Sequence, residues 1–379
     1  MTGTSRPSDR LIDVNDLPIG FIDVALSMPP TELVGETVVV LLRRETGPPA
    51  AVLKVARGQL RAAKLRTQRR VLAELAVHHG LDDEWRKLLP RILAFDERTN
   101  AAVSVESYRR GTDLADILER RPNRVEELTA AALRAIAPLH RGTATPVVVD
   151  NFCLLRGWVV EPLTTLTDVC RRLDPRLVRD MNRLGTVLRQ ALVGRRIPVG
   201  WTHGDYVPAN VRVAGLRGSV TGIVDWGGAR SGQPAFLDEY TMILTASCRV
   251  ERTDLGMLVA DRLSAGGLSG RERSALRAAH DRPGADVEDR ETVDERIAIV
   301  LTWLHHVAQA WRTRQTPPDH HTWWANNVAP VLDAVAGWRD GSDLSGARAR
   351  PGGAVGAAPM TAPPPVKDAA PAQGDRSDG

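Results

Sequence analysis

The sequence predicts an α+β protein with two unequal lobes, a small β-rich lobe followed by a larger lobe that is mostly helical. Three observations support this prediction. Short β-rich runs dominate the first hundred residues, helical periodicity dominates after Gly111, and one β-rich island interrupts the helices at residues 200–226. Hydrophobic residues make up 43% of the 379-residue chain and charged residues 25%, a composition that supports a folded core.

The small lobe is expected to span residues 15–108, after an unstructured polar segment at residues 1–14. Its first two strands are separated by turn-forming residues, so they are predicted to form a hairpin. A helix follows because Leu65, Leu72 and Leu75 recur at a helical period. The predicted elements are strands at 37–42 and 51–56, a helix at 61–76 and a strand at 101–105.

The large lobe is expected to span residues 109–340, and an unstructured tail rich in Gly, Ala and Pro is expected at 341–379. Helical periodicity predicts helices at 113–119, 126–140 and 177–192. Within the β-rich island, residues 211–214 and 220–224 are short apolar runs joined by a glycine-containing turn. They are predicted to pair as a second hairpin.

Composition and charge exclude several classes of function. With 50 basic and 46 acidic residues the net charge is only +4, which does not favour a nucleic-acid partner. The three cysteines are widely spaced and do not indicate a disulfide framework. Adjacent histidines such as His305-His306 point apart on a helix and have no further ligand at zinc-site spacing, so no zinc site is predicted. No apolar stretch reaches the length of a membrane span. The sequence therefore predicts a cytoplasmic protein without a membrane partner.

The side chains best suited to chemistry lie in the β-rich island. A hairpin brings its open ends together, so Asn210 before the first strand and Asp225 after the second are expected side by side, with Asp205 on the preceding loop. Such hard oxygen ligands suit Mg²⁺ together with substrate phosphates, and a remaining carboxylate can accept a hydroxyl proton. Turn formation is the competing explanation for the 203–210 segment alone or for the segment around Asp225 alone. A chance match to His-Gly-Asp with an Asn five residues later nevertheless has odds on the order of 10⁻³ in a chain of this length.

Two segments, His203-Gly-Asp-Tyr-Val-Pro-Ala-Asn210 and Ile223-Val-Asp-Trp-Gly227, resemble the aminoglycoside phosphotransferase family, relatives of the eukaryotic protein kinases. The resemblance implies a protein-kinase-like two-lobed fold and ATP-dependent transfer of phosphate to a hydroxyl group. It implies that Asp205 is the catalytic base, that Asn210 and Asp225 hold Mg²⁺ on the ATP phosphates, and that His203 has a structural role.

The same resemblance implies nucleotide-binding residues in the small lobe. Lys54 falls in the strand that carries the family's phosphate-binding lysine, although a lysine extending from an edge strand to solvent is an alternative. Residues 103–111 resemble the hinge that meets the adenine, so Glu106 and Tyr108 are predicted to bind the nucleotide.

The sequence departs from the family pattern at three places. Gln68 stands where a helix glutamate is expected to pair with Lys54, and Glu74 lies about 120° off that face. The segment expected to cover the phosphates, residues 29–36, has a single glycine. A family aspartate is displaced by one residue to Asp238, which is expected to cap the loop that carries Asp205. The weak Leu-His motif at His140 has no assigned role.

The acceptor is expected to be a hydroxyl of a small molecule, either antibiotic-like or a metabolite. Two alternatives stay open: a kinase that acts on Ser or Thr of a peptide in natural-product maturation, and a degenerate kinase that only binds a nucleotide or a partner. The charged run at 281–295 mixes acidic residues with Arg282 and Arg290, so a solvated loop is favoured over a cation-binding site. The oligomeric state is left open.

Overall fold

The structure, a computed structural model, describes residues 8–9, 37–43, 49–150, 152–173, 177–215, 218–280, 293–313, 320–336 and 338. The expected phosphate-covering segment 29–36, most of the charged run 281–295 and the expected tail 341–379 lie outside the described residues.

The small lobe contains a five-stranded sheet. Its strands are β1 (Ser8–Asp9), β2 (Val38–Arg43), β3 (Pro49–Arg57), β4 (Ile92–Arg98) and β5 (Ala101–Ser107), in the order β1-β2-β3-β5-β4. The predicted hairpin is confirmed by antiparallel pairing of β2 with β3. Strand β1, which pairs in parallel with β2, lies inside the segment that we expected to be unstructured. Strand β4 was not predicted because its sequence does not alternate regularly between apolar and polar residues.

The two faces of this sheet differ in chemistry. One face is apolar and buries Leu53, Val55 and Val105 in a small cluster. The other is covered by helix α1 (Gln59–Val77), which packs Leu65 against the sheet. Side chains alternate along a strand, and Lys54 of β3 pairs with Ser104 of β5. Lys54, Ser104 and Glu106 therefore share the face that α1 covers.

The rest of the described chain is mostly helical, as predicted. Its helices are α2 (Asp83–Arg86), α3 (Leu114–Arg120), α4 (Val125–Gly142), α5 (Cys153–Leu155), α6 (Glu161–Leu173), α7 (Leu177–Leu192), α8 (Phe236–Glu251), α9 (Leu255–Ser264), α10 (Gly270–His280), α11 (Glu295–Thr313), α12 (His320–Asn327) and α13 (Ala329–Ala336). A π-helical turn, Arg156–Val160, joins α5 to α6. The helices enclose one continuous core, in which Trp158, Trp226 and Trp303 are fully buried. Within the described residues, no helix is both long enough and apolar enough to cross a bilayer.

Two three-stranded sheets interrupt the helices. Their strands are β6 (Thr112–Asp113), β7 (Thr145–Val148), β8 (Arg196–Thr202), β9 (Val211–Ala214), β10 (Ser219–Ile223) and β11 (Arg230–Pro234), arranged as β10-β9-β6 and β11-β8-β7. The predicted second hairpin is confirmed by the pairing of Val211 with Ile223. The paired strands β9 and β10 therefore bring together two connections, the loop that arrives from β8 and the turn that leads to β11.

Candidate active site

The hairpin of β9 and β10 brings Asn210 next to Asp225. The N–H of Val224 donates to the carbonyl of Asn210 at 2.9 Å, so the two chain segments meet just beyond the paired strands. The Asn210 Nδ2 donates to the carbonyl of Asp205 at 2.9 Å. This bond fixes the amide, and no described residue donates to its Oδ1. Asp205, Asn210 and Asp225 therefore belong to one connected unit.

Asp225 occupies an unusual backbone conformation. Its φ of 66° and ψ of 60° lie in the left-handed region, which costs a residue with a Cβ free energy and is concentrated at functional sites. The residues that follow form a 3₁₀ turn, Trp226–Gly228, anchored by the buried Trp226, whose Nε1 donates to the carbonyl of Ile223 at 2.9 Å. This anchored turn fixes the backbone at Asp225.

Gly204 fixes the distance between the 203–210 loop and this turn. Its φ is 73°, and a Cβ at this position would lie 2.1 Å from the carbonyl oxygen of Gly228. Both conditions require glycine. The close backbone contact sets the spacing between Asp205 on one side and Asp225 on the other.

Asp238, at the start of α8, caps the 203–210 loop from below and is 1% exposed. Its two carboxylate oxygens accept the N–H groups of His203 at 2.7 Å and of Gly204 at 3.0 Å. The Nε2 of His140, at the end of α4, lies 3.0 Å from the same carboxylate. The expected cap is confirmed despite the one-residue displacement, and His140 gains a partner that the sequence did not indicate.

The ring of His203 is fully engaged within the loop. Its Nε2 lies 3.0 Å from the carbonyl of Val224, and the N–H of Asp205 approaches its Nδ1 at 3.3 Å. One nitrogen must donate and the other accept, which assigns the neutral Nε2–H tautomer. Neither nitrogen is left for a reacting group, in keeping with the structural role that the resemblance implies.

In the small lobe, Lys54 is held by a buried polar cluster. Its Nζ lies 3.1 Å from Glu106 Oε2 and donates to Gln68 Oε1 at 3.3 Å. The Nε2 of Gln68 in turn donates to Glu106 Oε1 at 2.5 Å. The charge partner of Lys54 is thus a strand residue, and Gln68 bridges the pair. Glu74 is exposed and pairs with Arg70, as its position off the helix face indicated.

The predicted hinge residues Glu106 and Tyr108 lie at the end of β5. The carboxylate of Glu106 pairs with Lys54. The N–H of Tyr108 donates to the carbonyl of Ala50 at 3.1 Å, and the N–H of Ser107 donates to that of Arg91 at 2.8 Å. Both backbone donors are therefore used by the protein.

Positive charges of the small lobe act on Asp225, which lies in the large lobe. The side chain is accessible to solvent, but protein atoms around it displace much of its water, which alone would raise its pKa. The positive charges of Lys54 and Lys64 outweigh this effect and hold the pKa of Asp225 below its ordinary value. Lys64, on α1, was not predicted as a site residue; its signal was the scarcity of lysine in a chain that uses mainly arginine.

Comparison with solved structures finds several distant similarities. An aminoglycoside phosphotransferase, APH(3'')-Id from Streptomyces rimosus, shares 16% identity with a TM-score of 0.43, over 72% of this chain and 92% of that one. Macrolide 2'-phosphotransferase MphH from Brachybacterium faecium shares 15% identity with a TM-score of 0.42, over 76% and 92%. The ADP-bound aminoglycoside phosphotransferase APH(2'')-Ib shares 11% identity with a TM-score of 0.47, over 84% and 98%. No curated protein sequence matches this chain significantly.

The sequence also matches a family model. Residues 36–276 match the phosphotransferase enzyme family, APH. The match confirms the resemblance found in the sequence and, with it, the protein-kinase-like α+β fold class and the phosphotransferase class of enzyme. Because it covers more than half of the chain, this protein belongs to the phosphotransferase enzyme family.

Proposed function

We propose that this protein transfers the γ-phosphate of ATP to a hydroxyl group of a small molecule, either antibiotic-like or a metabolite. The observation that carries the proposal is the connected unit of Asp205, Asn210 and Asp225, with the charge of Lys54 acting on Asp225. In this proposal residues 15–108 bind the nucleotide, and residues 109–340 carry the catalytic loop and the acceptor site.

The residues present fit Mg²⁺-ATP. The Asn210 Oδ1 and the carboxylate of Asp225 are hard oxygen donors, and the lowered pKa of Asp225 keeps it ionised. Mg²⁺ is usually held by one or two such protein ligands together with substrate phosphates. Lys54 would pair with the phosphates, held in position by Glu106 and Gln68. When bound, Mg²⁺-ATP would supply the phosphoryl group and the charge that neutralises its oxygens.

Asp205 would accept the proton of the acceptor hydroxyl. Its backbone is fixed at both ends, since its N–H approaches His203 Nδ1 and its carbonyl accepts from Asn210. Catalysis of this kind depends mainly on positioning and on charge stabilisation, so a rigid base is what the chemistry needs. The loop below it is held by Asp238, which adds to that rigidity.

The polar cluster in the small lobe bears on the degenerate alternative. A neutral Gln68 in place of a glutamate suggested a weakly held lysine and hence a protein that only binds. Glu106 supplies the negative charge that Gln68 lacks, which supports an enzyme with a competent Lys54. A peptide Ser or Thr hydroxyl would use the same chemistry, so the acceptor screen includes peptides.

Thermal-shift measurement with ATP, with and without Mg²⁺, tests the nucleotide site. We expect Asp225→Ala to abolish the Mg²⁺-dependent stabilisation and Asp205→Asn to retain it. Asp333→Asn, an exposed carboxylate of α13, is the matched control and should behave as wild type. An unchanged shift in Asp225→Ala would contradict the assignment of this residue.

A coupled ADP-release assay tests phosphoryl transfer. The screen covers aminoglycosides, macrolides, sugars, choline-like alcohols and Ser/Thr peptides. We expect at least one alcohol to stimulate ADP release and Asp205→Asn to lower the stimulated rate by about 10²–10⁴-fold. Nucleotide binding without acceptor-stimulated or acceptor-free ADP release would favour the degenerate alternative.

A further inference from the structure

A cleft that is partly open to solvent lies beside the 203–210 loop. Gly204, next to Asp205, and Gly228, in the turn after Asp225, form one side of it, and α6 and α11 form the other. Because Gly204 directly precedes Asp205 in the chain, the cleft borders the loop that carries the proposed base, and we take it as the acceptor site. An inference about its occupant therefore rests on the proposed function.

Two arginines line this cleft. Arg230 begins β11 and Arg312 lies near the end of α11, and both are exposed. Among the described residues, the guanidinium of Arg312 donates to uncharged groups only, the Thr165 Oγ1 at 2.7 and 3.1 Å and the backbone carbonyl of Glu161 at 3.3 Å. Within the described part of the chain, no carboxylate lies at salt-bridge distance from either guanidinium.

The charge of Arg230 acts on Arg312. Loss of water is the larger cause that lowers the pKa of Arg312, and the positive charge of Arg230 lowers it further. Glu161 offsets part of this effect without reversing it. Two like charges that line one cleft, with no ion-pair partner among the described residues, are stabilised by an anion that binds both.

The acidic residues that line the cleft are already engaged. Glu161 pairs with Arg156 at 3.4 Å. Asp238 accepts two backbone N–H groups of the 203–210 loop and contacts His140. Among the described lining residues, Asp238 is therefore used by the loop and Glu161 is shared with Arg156, whereas neither guanidinium has a carboxylate at salt-bridge distance.

His305 adds a hydrogen-bonding group without adding charge. Its Nε2 donates to the carbonyl of Trp158 at 2.7 Å, which leaves Nδ1 as an acceptor. Burial, with smaller contributions from Arg230 and Arg312, lowers its pKa to about 4, so the ring is neutral near pH 7. A neutral acceptor nitrogen in the cleft can receive a hydroxyl hydrogen.

We propose that the acceptor is an alcohol that carries an anionic group, a carboxylate or a phosphate, which binds to Arg230 and Arg312 while its hydroxyl approaches Asp205. In the transfer, the bond from the γ-phosphorus to the bridging oxygen of ATP breaks and a bond to the acceptor oxygen forms. The hydroxyl proton goes to Asp205, and ADP leaves. A polycationic acceptor does not suit this cleft.

Isothermal titration with Mg²⁺ and a non-hydrolysable ATP analogue bound tests the proposal. Two matched series are titrated: glucose 6-phosphate, glucose and glucosamine, and N-acetylserine, N-acetylserinamide and serinol. We expect the anionic member of at least one series to bind about tenfold or more tightly than its neutral and cationic counterparts. The series with the larger preference distinguishes phosphate from carboxylate. Inorganic phosphate should bind as well, because it carries no sugar or amino-acid group that could clash with the cleft.

Charge variants locate the anion. Arg230→Gln should weaken binding of inorganic phosphate and of the anionic acceptor about tenfold, and Arg230→Glu should weaken it further, while the neutral member is unchanged. Arg171→Gln, which removes an exposed arginine of α6 outside the cleft, is the control and should change nothing. Equal or tighter binding of cationic members, absent binding of every anion, or no effect of Arg230→Gln would overturn the proposal.

The same preparations separate this inference from the proposed function. Loss of Mg²⁺-dependent binding of the nucleotide analogue would contradict the phosphotransferase site itself. Intact nucleotide binding without a preference for anions would contradict only the assignment of the acceptor class.

Discussion

Lys54 and Glu106 form a buried ion pair between adjacent strands, with Nζ 3.1 Å from Oε2 and with side chains that are 11% and 3% exposed. Gln68 accepts from the lysine through Oε1 and donates to the glutamate through Nε2. The Oγ of Ser104 donates to the same carboxylate at 3.2 Å. The negative charge that holds Lys54 therefore comes from the sheet, and α1 contributes a neutral bridge.

Glu106→Gln should leave Lys54 charged and buried among neutral groups. Removing one partner of a buried pair costs about 3–5 kcal/mol, because the remaining charge has lost its compensation. We expect a loss of this order in the free energy of unfolding, measured with urea, and weaker ATP binding. The exposed pair of Arg66 and Glu97 gives the control, since Glu97→Gln should cost less than about 1 kcal/mol.

Moving the charge to α1 gives a second test of the same cluster. Gln68→Glu alone would place two carboxylates around one lysine and should destabilise the fold. Gln68→Glu combined with Glu106→Gln restores one negative and one neutral partner, so it should recover part of the stability and ATP affinity lost in Glu106→Gln. Additive losses in the double variant would show that the three side chains are not coupled.

Gly204→Ala should disrupt the loop that carries Asp205. The added Cβ would meet the carbonyl of Gly228 at 2.1 Å, and neither backbone segment can move without displacing a carboxylate of the site. Gly194 has a similar φ of 76° but open space around it, so Gly194→Ala isolates the conformational cost of about 1–2 kcal/mol. We expect Gly204→Ala to cost more and to lower acceptor-stimulated ADP release about 100-fold or more. Equal effects of the two substitutions would show that the close contact does not matter.

The parts of the site that follow from local sequence could be predicted. The β9–β10 hairpin joins residues close in the chain, so its turn chemistry was enough to place Asn210 beside Asp225. The strand alternation that puts Lys54 on the face opposite Leu53 and Val55 could also be read directly.

The contacts between distant segments could not be predicted in the same way. Lys54 and Glu106 meet because of the register between β3 and β5, which are separated by α1 and β4, and a slip of one residue would reverse the faces. His140 and Asp238 lie on different helices and are joined only by tertiary packing. Lys64 carried no positional signal, since its effect on Asp225 depends on how α1 docks.

Asp238→Asn should loosen the 203–210 loop, although the volume of the side chain hardly changes. The carboxylate accepts from three N–H groups, those of His203, Gly204 and the His140 ring, whereas an amide presents at least one N–H toward a donor. A buried donor left unsatisfied costs about 1–3 kcal/mol, so we expect a loss of this size in the free energy of unfolding.

The same substitution should lower kcat more than it raises the KM for ATP, because Asp238 positions the base and not the nucleotide. Steady-state kinetics with the best acceptor from the screen measures both. Asp180→Asn, on α7 and outside the site, is the control. A change confined to the KM for ATP would contradict the positioning role.

His305 predicts a measurable loss of stability in mild acid. Burial lowers its pKa to about 4 in the folded protein, against about 6.5 in an unfolded chain. As the pH falls below about 6.5, the unfolded chain binds a proton that the folded chain does not, so stability falls until the pH reaches about 4. Between pH 7 and 5 this one group contributes a loss of about 2 kcal/mol, which urea unfolding of wild type and His305→Gln at both pH values can measure.

We expect wild type to lose about that much more than the variant, while His79→Gln, at an exposed position, should keep the wild-type dependence. Equal pH dependence in wild type and His305→Gln would show that His305 is solvated, which would contradict its assignment as a buried neutral hydrogen-bond acceptor.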